Sequence, residues 1–105
     1  MEQSLCEEAV LQALHGVKDP EVGVNIVDLG LVYLARRTGD AIDVHITTTS
    51  PACPLGDTLT RDTEEALRQS FPDVGTINVE IVYDPPWTPD RMTESGREQL
   101  GLPPR

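Results

Sequence analysis

The chain predicts an α+β fold, a two-layer α/β sandwich in which a small mixed sheet carries both helices on one face. Two stretches repeat apolar residues at helical spacing, three short stretches read as strands, and they follow one another in the order α-β-β-α-β. So few strands and two amphipathic helices bury their apolar sides by stacking one layer on the other. A chain of 105 residues suits one domain with a modest core.

The elements follow from local pattern. Ser4-Leu5-Cys6-Glu7 has the spacing of a capping box, with Ser4 as helix cap and Glu7 reaching back. Cys6, Val10, Ala13, Leu14 and Val17 then recur on one helical face, and Gly16 is a stop signal. KDPEVGVNIVDLG, from Lys18 to Gly30, reads as an extended loop with acids at Asp19, Glu21 and Asp28. Leu31 to Arg37 is a strand, Thr38-Gly39-Asp40 a turn, and Ala41 to Thr48 a second strand with Ile42, Val44 and Ile46 on one face, so the pair makes a β-hairpin. Leu55, Leu59, Ala66, Leu67 and Phe71 mark the second helix, which Pro72 ends. Thr76 to Tyr83 is the third strand, with Ile77, Val79 and Ile81 inward. Residues 1–84 are expected to form the domain, and residues 85–105 a proline-rich tail that hugs the domain or a neighbour, with a short helical turn at Thr93 to Leu100.

Charge narrows the function classes. The formal net charge is −10, from 18 acidic and 8 basic residues. Such a surface repels phosphate backbones and anionic lipid, so neither nucleic acid nor membrane is an expected partner. No apolar run is long enough to span a bilayer. The acidic start MEQSLCEEAV has neither the basic end nor the apolar block of a signal peptide. Two cysteines without such a signal point to free thiols in a reducing cytoplasm.

The segment TTTSPACPLGD, Thr47 to Asp57, carries the chemistry. It sets Cys53 between two prolines where a strand ends and a helix begins. Pro54 suits a first helical position, because its missing N–H is one the helix cannot use. Free amides and the positive end of the helix dipole near the sulfur favour thiolate over thiol. Thr49 and Ser50 fall in the turn, where their hydroxyls can donate to a thiolate or an anion. Pro20 stiffens Asp19 and Glu21, which become hard ligands or proton acceptors if the fold brings their loop beside Cys53. Cys6, by contrast, sits on an apolar helical face and reads as packing. His15 and His45 have no visible link to Cys53, which weakens a Cys–His nucleophile pair. The absence of C-x-x-C excludes a redox dithiol and a zinc knuckle, and no glycine-rich phosphate loop follows a strand.

KDPEVGVNIVDLGLVY, TTTSPACPLGD and YDPPWTPDRMTESGREQLG, in this order, resemble the SufT and PaaD-like family of metal–sulfur cluster assembly proteins. The resemblance runs from Val17 to about Leu100 and implies the fold called the iron–sulfur cluster assembly domain. It also implies a site formed by Cys53, Asp19, Glu21, Thr49 and Ser50, with Cys53 at its centre and as its metal ligand. The family pattern often has threonine where Ser50 stands, a change that keeps the hydroxyl. Phenylacetate-pathway relatives can carry an extra cysteine-rich C-terminal segment. This chain lacks one, which favours the general SufT-like role over a PaaD-like factor maturing a phenylacetate-pathway oxygenase. A stable cluster normally takes about four protein thiolates. The expectation is therefore a transient iron–sulfur cluster rather than a tightly bound one, shared through Cys53 with a scaffold, a client or a second protomer in a homodimer. On this reading the protein is a maturation factor and not a turnover enzyme. Two other classes stand beside it: a thiol enzyme with Cys53 as nucleophile and Asp19 or Glu21 as base, and a cofactor-free adaptor.

Overall fold

A computed structural model describes residues 7–20, 22–49 and 56–102. Helix α1 (Glu8–Leu14) is followed by strands β1 (Val32–Thr38) and β2 (Ala41–Ile46), helix α2 (Gly56–Ser70) and strand β3 (Thr76–Ile81). A single 3-10 turn over Pro89–Arg91 and a short helix α3 (Glu94–Gln99) complete the chain. The sheet runs in the order β1-β2-β3. β1 and β2 pair antiparallel as the hairpin, and β2 and β3 pair parallel across the α2 crossover. α1 packs on β1 and α2 on β3, and the two helices touch each other, so both lie on one face. This is the expected two-layer α+β architecture.

The alternation in β2 is as read from the sequence. Ile42, Val44 and Ile46 are fully buried, while Asp43 and His45 lie on the other face. Leu59, Thr63 and Leu67 are the buried stripe of α2, one residue per helical turn. Asp40, in the hairpin turn, ties down the return from α2: its carboxylate accepts from Gly75 N–H at 2.9 Å, and its carbonyl from Thr76 N–H at 3.1 Å.

Three features differ from the sequence-based expectation. First, Glu7 does not take the third helical position that the capping box gives it. Glu7 is extended (φ −83°, ψ 140°) and is itself the cap position, without a side-chain bond. Its N–H donates instead to Ala35 O at 2.7 Å, so the chain is engaged by the edge of β1 before the helix starts. Ser4 and Cys6 lie outside the described residues. Second, the loop before β1 belongs to the core: Val17, Val24, Ile26, Leu29 and Leu31 are all buried. Its apolar residues follow neither helical nor strand spacing, which is why periodicity finds only a loop. Third, β1 carries a register shift between Val32 and Leu34, a bulge that re-aims Tyr33. The Tyr33 hydroxyl reaches Pro85 O at 2.7 Å, linking the strand to the proline-rich segment.

Candidate functional site

The loop that holds Asp19 is closed by its own backbone. Asp19 N–H donates to Val24 O at 3.1 Å, and Gly23 N–H returns to Asp19 O at 2.7 Å. Gly23 sits at φ +82°, a left-handed position that glycine takes without cost. Lys18 and Asn25 bridge across the base. Asp19 is 1% exposed, unusual for a carboxylate, and its Oδ1 accepts from Val22 N–H at 3.3 Å. Pro20 thus stands in a compact turn that turns the Asp19 side chain inward.

The same loop rejoins the sheet at the end where β2 stops. Thr47 N–H donates to Leu31 O at 2.8 Å, directly beside the Val32–Ile46 pair. Thr47 and Thr48 are buried, and Thr49, half-buried, leads toward the segment before α2. β3 ends on this side too, with Val82 N–H on Ile46 O at 2.8 Å. The start of β1 and the ends of β2 and β3 therefore share one end of the sheet, and both segments of the expected site leave from it. Of the five expected site residues, the structure describes Asp19 and Thr49. Glu21, Ser50 and Cys53 lie outside the described residues, as do Pro54 and Leu55. Among the described residues no group of three or more His, Cys, Asp or Glu side chains comes together to hold a metal ion. His45 faces away from the helices, 3.4 Å from Glu80.

A second cluster is centred on Asp28, which the sequence marks only as an acid in the loop. Asn25 and Asp28 bond reciprocally: Asn25 Nδ2 donates to Asp28 Oδ2 and Asp28 N–H donates to Asn25 Oδ1, both at 2.9 Å. Thr93 then caps α3 and binds the loop at once. Its Oγ1 accepts from Gly96 N–H at 3.0 Å and donates to Asp28 Oδ1 at 2.9 Å, while its own N–H donates to Asp28 O. Trp87 Nε1 adds a bond to Leu29 O at 2.7 Å, Met92 is buried, and the Arg91 guanidinium lies over the Tyr33 ring at 4.6 Å. The proline-rich segment is thereby strapped across residues 28–33, the second half of the loop that began with Asp19. Burial alone would raise the Asp28 pKa. The bonds from Asn25, Thr93 and Gln99 and the charge of His15 outweigh it and hold the carboxyl below its ordinary value. The N-x-x-D and T-x-x-G spacings are the local signals for these turns and caps, but the partnership between them spans the chain.

Comparison with known proteins places this architecture. The family model described as iron–sulfur cluster assembly protein matches residues 7–80. The Fe-S protein maturation auxiliary factor YitW of Bacillus subtilis (strain 168) is 40% identical over 103 residues, covering 97% of this chain and 99% of that protein. The Fe-S protein maturation auxiliary factor SufT of Staphylococcus aureus (strain USA300) is 37% identical, over 82% of this chain and 98% of its own length. Among solved structures, a domain of unknown function from Bacillus anthracis superposes with a TM-score of 0.85 at 35% identity, over 92% of each chain. The paired helices on a three-stranded mixed sheet, the family match over most of the length and relatives as close as these agree: this chain belongs to the iron–sulfur cluster assembly protein family.

Proposed function

We propose that this protein is a maturation factor that assists the delivery of iron–sulfur clusters to client proteins, with the cluster as cargo and Cys53 as its transient ligand. The observation that carries the reading is the reciprocal span of the match: the chain and a protein named as a maturation auxiliary factor cover each other almost completely. The chemistry agrees with a brief hold. A cluster normally takes about four thiolates, and the whole sequence has two cysteines, Cys6 and Cys53. The remaining ligands come from a scaffold, a client or a second protomer. Asp19, Glu21, Thr49 and Ser50 flank Cys53 in this reading, with the hydroxyls donating to the thiolate or its cargo and the carboxylates accepting protons. In support, the loop of Asp19 and the segment running through Thr49 toward Cys53 leave the same end of the sheet.

The deciding experiment is Cys53→Ser in cells that carry no other copy. Serine is a favoured residue at a helix start, so the purified variant should unfold within about 1 kcal/mol of the parent. Its hydroxyl is a poor ligand for soft iron–sulfur centres, so cluster-dependent enzymes should lose activity while the variant accumulates normally. Full client activity would remove the thiol from the mechanism and leave the adaptor reading. Unfolding of the variant would make Cys53 a packing residue. Anaerobic incubation with iron and sulfide gives a second readout, with cluster absorbance expected for the parent and absent for the variant.

A further inference from the structure

The two edges of the sheet are treated differently. β1 has Glu7 at its outer edge, donating to Ala35 O at 2.7 Å. β3 is the other edge. In a parallel ladder alternate residues of a strand bond to the neighbour. Thr76 N–H reaches Asp40 O at 3.1 Å and Val82 N–H reaches Ile46 O at 2.8 Å, so the even-numbered residues of β3 face β2. The amides and carbonyls of Ile77, Val79 and Ile81 therefore point away from the sheet, and among the described residues nothing pairs with them. An open edge of this kind is a template for another strand.

The surroundings say what kind of strand. A groove of about 400 Å³ runs along this edge, lined by Asp43, Glu64, Ile77, Asn78, Val79 and Glu80. It holds three carboxylates and no lysine or arginine. Glu80 stands on the edge strand itself with His45 at 3.4 Å, Asp43 lies on the central strand with Arg36 opposite it in the register, and Glu64 belongs to α2 on the helix side. Ile77, Val79 and Ile81 turn their side chains toward the helix layer, while Asn78 and Glu80 turn theirs to the open face. A fourth strand would lay alternate residues along these same two faces.

We propose that the edge of β3 takes up an extended segment of a partner protein as a fourth strand, and that this segment alternates basic and apolar residues. The basic side chains lie beside Glu80 on the open face, and the apolar ones continue the row of Ile77, Val79 and Ile81. Backbone bonds to those three residues supply the hold, and the acids supply the choice of partner. A second copy of this chain fits less well. Two-fold pairing of β3 with itself sets Val79 against Val79 and Glu80 against Asn78 of the second copy. The Asn78 amide opposite Glu80 already donates to Asp43 at 3.0 Å and supplies no positive charge, and the pairing would bring together two chains each of net charge −10. The surface involves neither Cys53 nor the loop of Asp19, so the proposal goes beyond the maturation reading and does not depend on it.

The test uses the full chain and a short acetylated peptide alternating lysine and valine, followed by amide hydrogen exchange. With the peptide in excess, exchange at Ile77, Val79 and Ile81 should slow by about tenfold or more, equivalent to ~1.4 kcal/mol. The same peptide with glutamate in place of lysine, or with methyl groups on the amides that face β3, should give no protection. Glu80→Lys lies on an exposed face and should weaken the lysine peptide by roughly three- to tenfold with the fold intact. The proposal is overturned if the lysine peptide leaves these three amides unprotected, or if the glutamate or methylated peptide protects them equally. Protection that appears without peptide and grows with protein concentration would overturn it in favour of a second copy.

Discussion

Thr63 stands in the middle of α2, fully buried, and among the described residues its hydroxyl has no hydrogen-bond partner. A buried hydroxyl without a partner loses its water and gains nothing in return. Valine has the same branched shape and similar helix propensity, so the substitution changes polarity with little change in packing. Thr63→Val is expected to stabilise the protein by about 1 kcal/mol, read as a higher midpoint in thermal unfolding. A lower midpoint would mean that the hydroxyl is satisfied in solution. Asp19 is the opposite case: it is as buried as the core, yet its carboxylate has a backbone donor at Val22. Its place in the turn follows from Pro20 and Gly23, residues whose backbone preferences can be read without a structure. Its burial to 1% exposure cannot, because backbone preferences set the turn and not what packs around the side chain.

At the scale of elements, the loop before β1 and the segment after β3 act as one unit. Gly30 has φ +77°, and a Cβ there would collide with the carbonyl of Arg91. Gly23 has φ +82° with open space around it. Both substitutions to alanine force a side chain into left-handed backbone, but one also pushes the proline-rich segment off its seat. Gly23→Ala should cost about 1 kcal/mol, and Gly30→Ala at least twice that, compared by urea unfolding. Equal costs would mean that Arg91 yields freely and that the strap is loose. The sequence identifies both glycines as turn residues and cannot rank them, since the ranking depends on a neighbour about sixty positions away along the chain.

For the whole molecule, Asp28 joins segments 65 residues apart through its bonds with Thr93. Its folded pKa lies below the ordinary 3.8, so the unfolded chain binds its proton first as the pH falls. The stability it contributes is complete above 3.8 and is lost as the pH drops through the lower folded value. Asp28→Asn removes this contribution, so the stability gap between parent and variant should be widest at neutral pH and narrow below 3.8. Urea unfolding followed by the fluorescence of Trp87, the single tryptophan, measures it in pH steps. A gap that stays constant with pH would show that the carboxylate charge is not what holds the segment.

The sequence by itself determined the element order, the inward face of β2, the turn between the hairpin strands and the family to which the chain belongs. These are local or linear properties: apolar spacing, turn chemistry and motif order are written along the chain and need no partner to be read. Tertiary structure alone decided that the loop before β1 enters the core, that Glu7 is engaged by a strand edge and stands outside the helix, that Asp28 fastens the proline-rich segment, and that β3 keeps an edge open among the described residues. Each of these depends on which distant groups arrive within bonding distance. A backbone amide or a buried carboxylate takes the nearest competent partner in space, and sequence spacing does not specify that partner.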